Sequence, residues 1–161
     1  MAKPKPIPDL TAEDPYADAA AKIVAVRGSE LSEQAQGVLD TGDIERVHDM
    51  RVATRRLRAA LEIFEPCFPA GPYGQALADV KRLADALGER RDRDVAIAAL
   101  HNFTDQMAAP DRRGVNSLIE QLRLEQEDAN KELAPLVAEE NLKALRESMD
   151  ELVGSARAAS A

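Results

Sequence analysis

Cysteine is nearly absent. Cys67 is the only one in 161 residues, so no disulfide can form within the chain and a reducing compartment is expected. Tryptophan is missing and aromatics make up 3% of the residues, which disfavours a sheet-built core, since strands prefer β-branched and aromatic side chains. Period-two alternation, the mark of a half-buried strand, is not found either. No apolar run approaches the ~18–20 residues of a membrane span, and no apolar stretch near the N-terminus has the form of a secretion signal. The cytoplasm is the expected location and no membrane contact is expected. Histidine is scarce too. His48 and His101 lie far apart, and neither has a Cys or His partner at ligand spacing, so no metal site, cofactor or nucleophile–histidine pair is expected.

Helix-forming material takes the place of what is missing. The chain is 45% hydrophobic, carried mainly by Ala and Leu, and 31% charged, which suits close-packed helices with solvated outer faces. Residues 1–15, with four prolines among charges, form a flexible tail in this reading. Residues 16–158 form one helical domain. The apolar spacing places helices over about 16–39, 44–67, 75–107, 111–137 and 140–153, with Asp43 and Asp111 as N-caps. Gly28 is a soft spot in the first. The cluster Pro66, Pro69, Gly71, Pro72 and Gly74 breaks the chain before the third. Short joints make antiparallel neighbours, giving an all-α, antiparallel four-helix bundle with an additional C-terminal helix.

Charge is distributed unevenly. The formal net charge is -8, and from Glu120 to Glu151 ten acids face four bases. Yet Arg46 to Arg58 holds five arginines and a histidine against one acid. His48, Arg51, Arg55 and Arg58, spaced i, i+3, i+7, i+10, fall within roughly 80° on a helix. Val52, Ala53, Leu57, Ala60, Leu61 and Phe64 are assigned to the opposite, apolar side. Like charges at this spacing repel by a few tenths of a kcal/mol per pair, so a polyanion or acidic neighbour is needed to relieve them. Guanidinium groups bind phosphate oxygens bidentately and stay charged. A linear polyphosphate, a nucleic-acid backbone and an acidic helix all suit such a row, and so does a solvated face tied to neighbouring acids.

A second constellation runs from Lys81 to Val95. Lys81, Gly88 and Arg91 repeat the seven-and-ten spacing. Gly88 sits mid-helix at a cost of ~1 kcal/mol, as close helix packing or a ligand would require. Arg91 falls near the apolar sector, where it needs an anion such as Asp94 or a bound phosphate. Asp92 and Asp94 are read as orienters of arginines.

The sequence His48-x-x-Arg51-Val-x-x-Arg55-Arg56-Leu57-Arg58, followed about thirty residues on by Leu87-Gly88-x-x-Arg91-Asp92-x-Asp94-Val95, resembles the CHAD family (conserved histidine α-helical domain). The resemblance covers about residues 23–145. It implies an all-helical fold whose basic groove binds inorganic polyphosphate, in some members at polyphosphate granules. It assigns His48, Arg51, Arg55, Arg56 and Arg58 to that groove on the second helix, Lys81, Arg82 and Arg91 on the third, and Arg123, by a weaker match, on the fourth. A typical member carries two related bundles, and only one such half is found here. The chain is thus a fragment, or two copies assemble as a homodimer. The resulting expectation is a non-enzymatic polyphosphate-binding module that disfavours nucleic acid. The alternatives are a phosphohydrolase-associated subunit using Glu45, Asp49 and Glu62, and a module that docks an acidic partner helix.

Overall fold

A computed structural model describes residues 3–160. Five α-helices follow in order: α1 (Tyr16–Gln34), α2 (Ile44–Ile63), α3 (Ala70–Thr104), α4 (Arg112–Leu136) and α5 (Glu139–Ser160). Single 3₁₀ turns at Glu65–Cys67 and Ala109–Asp111 fill the joints before α3 and α4, and no strand occurs among the described residues. The all-α class is as expected. α1 packs on α2 and α5, α2 packs on α3, and α3 meets α5 to close the ring. The last helix is therefore a wall of the four-helix ring, and α4 is the additional one, running back along α3. At 35 residues, about 52 Å, α3 is long enough to be both a wall of the ring and a spine for α4.

The core follows helical spacing. Val24 and Leu31 from α1, Val47, Met50, Leu57 and Leu61 from α2, Val80, Leu83 and Leu87 from α3, and Leu152 from α5 are all buried. Leu133 near the end of α4 joins the same cluster. Gly28, the supposed soft spot, is buried where α1 meets α5. A Cβ there would stand 3.3 Å from Met149 Cγ, so the glycine permits close packing.

Several ends differ from expectation. α1 stops at Gln34, and Gly37 turns the chain with a φ of +72°. The Arg46 side chain lies over Gly37 and donates to the Gln36 carbonyl at 3.1 Å. Val38 then returns to the core. α3 begins five residues earlier than the Pro/Gly cluster suggested. Pro69 is its N-cap and Pro72 lies in its first turn, where a helix needs no backbone N–H. Asp43 and Asp111 occupy N-cap positions, but neither side chain caps a backbone N–H. The Asp43 carboxylate instead accepts from Arg46 Nε at 3.0 Å.

Residues 3–15, expected as tail, carry no helix and lie along α1; Met1 and Ala2 fall outside the described residues. Lys22 Nζ donates to the Asp9 carbonyl at 2.8 Å and to Asp14 Oδ2 at 2.7 Å. Arg27 donates to the Lys5 carbonyl and to the buried Glu30. No helix among the described residues is long and apolar enough to cross a membrane.

Candidate functional site

The inward face of α2 sets the direction of everything else on it. Val47, Met50, Ala53, Thr54, Leu57, Ala60 and Leu61 are buried at i, i+3, i+4, i+7 spacing, and the Thr54 hydroxyl is satisfied by the Met50 carbonyl at 2.8 Å. With that face fixed in the core, His48, Arg51, Arg55 and Arg58 must point outward together. His48, Arg51 and Arg58 are half-buried and Arg55 is exposed. Val52, expected among the core residues, is only partly buried and belongs to this outer face. It lines an open depression of about 550 Å³ with Arg55, Arg56, Arg58, Ala59 and Glu62. Arg56 thus stands on the far shoulder of the depression from Arg58.

α3 packs antiparallel to α2 and meets it at both ends of the row. Near the C-terminal end of α2, Glu62 accepts from Arg58 Nε at 2.9 Å and lies 3.9 Å from Lys81 Nζ. At the other end, Arg91 Nη1 donates to the Ile44 carbonyl at 2.9 Å, and Arg91 Nη2 lies 3.4 Å from Glu45. Lys81 and Arg91 therefore approach α2 at its two ends, on either side of the basic row. Gly88 lies on the same side of α3, seven residues from Lys81 and three from Arg91. A Cβ built there meets no atom within 4 Å, so close helix packing is not its reason. In the middle of the row, His48, Arg51 and Arg55 form no hydrogen bond or ion pair among the described residues. That leaves three groups able to donate to an anion, two of them permanently cationic, with no partner among the described residues.

The inward arginine is Arg90 rather than Arg91, one residue and 100° away from the sequence expectation. Arg90 and Asp94 are both fully buried and paired, Nε to Oδ1, at 2.9 Å. Arg90 also donates to Asn130 Oδ1 of α4 and to the Asp40 carbonyl of the α1–α2 turn. Gln126 donates to Asp94 Oδ1 at 2.5 Å, and Asn130 donates to the Leu39 carbonyl at 2.8 Å. This network ties α4 to α3 and to the turn before α2. Asp94 is thus an orienter of an arginine, as expected, and its arginine is structural. Asp92 is exposed.

Two residues assigned to the groove lie elsewhere. Arg82, the next residue after Lys81, turns 100° away and pairs with Asp79 at 3.0 Å beside Leu136, Asn141 and Leu145, on the side toward α5. Arg123 pairs with Glu120 at 3.1 Å and lies 3.3 Å from His101 Nε2. Since guanidinium only donates, His101 Nε2 accepts. This contact lies in a cavity of about 470 Å³ beyond the start of α2, formed with Thr41, Gly42, Ile44 and Gln126. The His101–Arg123 contact was not foreseen, because 22 residues and a helix reversal separate the two. Cys67 is partly buried, which pushes its thiol pKa above the ordinary value. Among the described residues, no group of three or more His, Cys, Asp or Glu is placed to hold a metal ion.

A family model described as the CHAD domain matches residues 22–161, nearly the whole chain. No curated protein and no solved structure matches.

Proposed function

The chain belongs to the CHAD family, and from that premise we propose that it is a non-enzymatic module that binds inorganic polyphosphate in the groove between α2 and α3. The observation that carries the reading is the middle of the α2 row. His48, Arg51 and Arg55 share one outward face of α2 and have no partner among the described residues, between the ends at which Lys81 and Arg91 of α3 meet α2. Successive cations on one helix face rise by about 4.5–6 Å. A linear chain with a charge at every phosphate can meet them in turn, each contact being a charge-assisted hydrogen bond. Arg56 borders the same depression and adds to the field around the chain. The absence of a side chain at Gly88 leaves room for the chain against α3. Arg82 and Arg123 take no direct part.

Binding of this kind displaces condensed counterions, so affinity falls steeply with salt. The acidic remainder of the surface, within a net charge of -8, repels nucleic acid and confines the polyanion to the groove. A phosphohydrolase would need carboxylates gathered around a metal opposite the cations. Glu45 and Glu62 stand 17 residues apart on one helix, about 25 Å, and each is engaged with groove cations. A cytoplasmic location at polyphosphate granules, and a homodimer in which two grooves face one another, belong to the same reading.

Calorimetric titration with polyphosphate at several salt concentrations tests it, with phosphate release in magnesium followed in parallel. Salt-dependent binding without release is the expected result. Release above the protein-free blank favours the enzyme.

A further inference from the structure

The two ends of the basic row differ from its middle. At one end a single carboxylate, Glu62, holds both Arg58 of α2 and Lys81 of α3. At the other, Glu45 lies against Arg91. Between them Arg51 and Arg55 form no ion pair among the described residues. We infer that Glu62 is a built-in competitor for the groove, a carboxylate that occupies the Arg58–Lys81 position until a sufficiently long polyanion displaces it, and so limits the affinity that a long chain gains over a short one. The inference rests on the polyphosphate reading and concerns the same groove.

A short anion, such as orthophosphate or pyrophosphate, is satisfied at Arg51 and Arg55 and has no need to reach Glu62. A longer chain extends along α2 to Arg58 and Lys81, where its phosphates must take the place of the carboxylate. Displacement is within reach because the site is open to solvent. The Glu62, Arg58 and Lys81 side chains are 43%, 41% and 43% exposed, and exposed ion pairs are weak. The freed carboxylate turns outward into water. Each added phosphate at this end therefore gains only the difference between two cation–anion contacts, so Glu62 damps the rise of affinity with chain length, while a short anion at Arg51 and Arg55 does not meet it. If Glu62 merely held Arg58 and Lys81 in position for the ligand, its removal would weaken binding.

The two roles are separated by Glu62→Gln, which keeps shape and removes the charge. Glu120→Gln, on α4 beside Arg123, removes the same charge away from the groove. With long-chain polyphosphate, Glu62→Gln is expected to bind at least fivefold more tightly than the parent. The slope of log affinity against log salt should steepen by up to roughly one unit, since one more cation is left unneutralised. Pyrophosphate affinity should stay within about twofold, and Glu120→Gln should match the parent with both ligands. Equal or weaker long-chain binding by Glu62→Gln overturns the inference, as does an equal gain with pyrophosphate. The double variant Arg51→Ala/Arg55→Ala is the reference for the underlying reading. If it loses binding while Glu62→Gln has no effect, only the competitor falls. If neither the parent nor Glu62→Gln binds polyphosphate, both fall.

Discussion

Replacing Arg90 with methionine removes a buried cation and leaves a buried anion behind. Asp94 would keep only the Gln126 amide on Oδ1, while Oδ2 already has no hydrogen-bond partner. The Asp40 carbonyl and Asn130 Oδ1 would each lose a donor as well. Breaking a fully buried pair by removing one partner costs about 3–5 kcal/mol, because the remaining charge is left uncompensated. A domain of this size has about 5–15 kcal/mol in total, so a large share is at stake. Urea unfolding followed by circular dichroism measures it. With a slope of about 2 kcal/mol/M, the midpoint should fall by roughly 1.5–2.5 M. Adding Asp94→Leu to Arg90→Met should restore much of the loss, since an apolar pair of similar volume replaces a buried ion pair at little cost. A midpoint shift under about 0.5 M for Arg90→Met, or a double variant as unstable as the sum of the two singles, would refute the assignment of Arg90 as the tie between α3, α4 and the α1–α2 turn.

Gly37→Ala places a side chain at a φ of +72° and 2.8 Å from Arg46 Nη1; thermal unfolding should show a loss of about 1–2 kcal/mol, and an unchanged midpoint would contradict the role of that turn. The Lys22 ammonium and the Thr11 N–H hold Asp14 below its ordinary carboxylate value. Its folded pKa is depressed, so its contribution is present above the ordinary value of 3.8 and lost as pH falls through the folded value. Asp14→Asn should therefore lower the melting temperature at pH 7, and the difference should shrink toward pH 2. Light scattering should show polyphosphate driving the chain toward a two-fold dimer by mass action; a monomeric mass with and without it would contradict the dimer.

The outward row on α2 was readable because a buried helix face fixes the opposite one. Spacing alone placed His48, Arg51, Arg55 and Arg58 together. The phase of α3 was harder to read. Its inner face changes from apolar at Leu83 and Leu87 to polar at Arg90 and Asp94, where the network with α4 replaces the core, and a wheel drawn on apolar residues loses its reference there. A wheel so drawn puts Arg91 in place of Arg90 on the inner face. Arg82 failed for a simpler reason, since the neighbour of a groove residue points 100° away from it. The early start of α3 was masked by Pro72 and Gly74, which signal a break in a helix interior but are tolerated in a first turn. Which helix stood outside the ring depended on the length of α3. Glu62 as the partner of Lys81 could not be foreseen, because the contact joins two helices whose relative stagger is set by packing.

The most direct measurement is the affinity of Arg51→Ala/Arg55→Ala for long-chain polyphosphate, beside the parent chain, at several salt concentrations. Charge-assisted contacts are worth about 1.5–3 kcal/mol each. Losing two should weaken binding at least ~10-fold and flatten the salt dependence, while orthophosphate and sulfate bind far more weakly than the polymer to either protein. An unchanged affinity in the double variant, with its helix content intact by circular dichroism, would contradict the placement of polyphosphate in the α2–α3 groove.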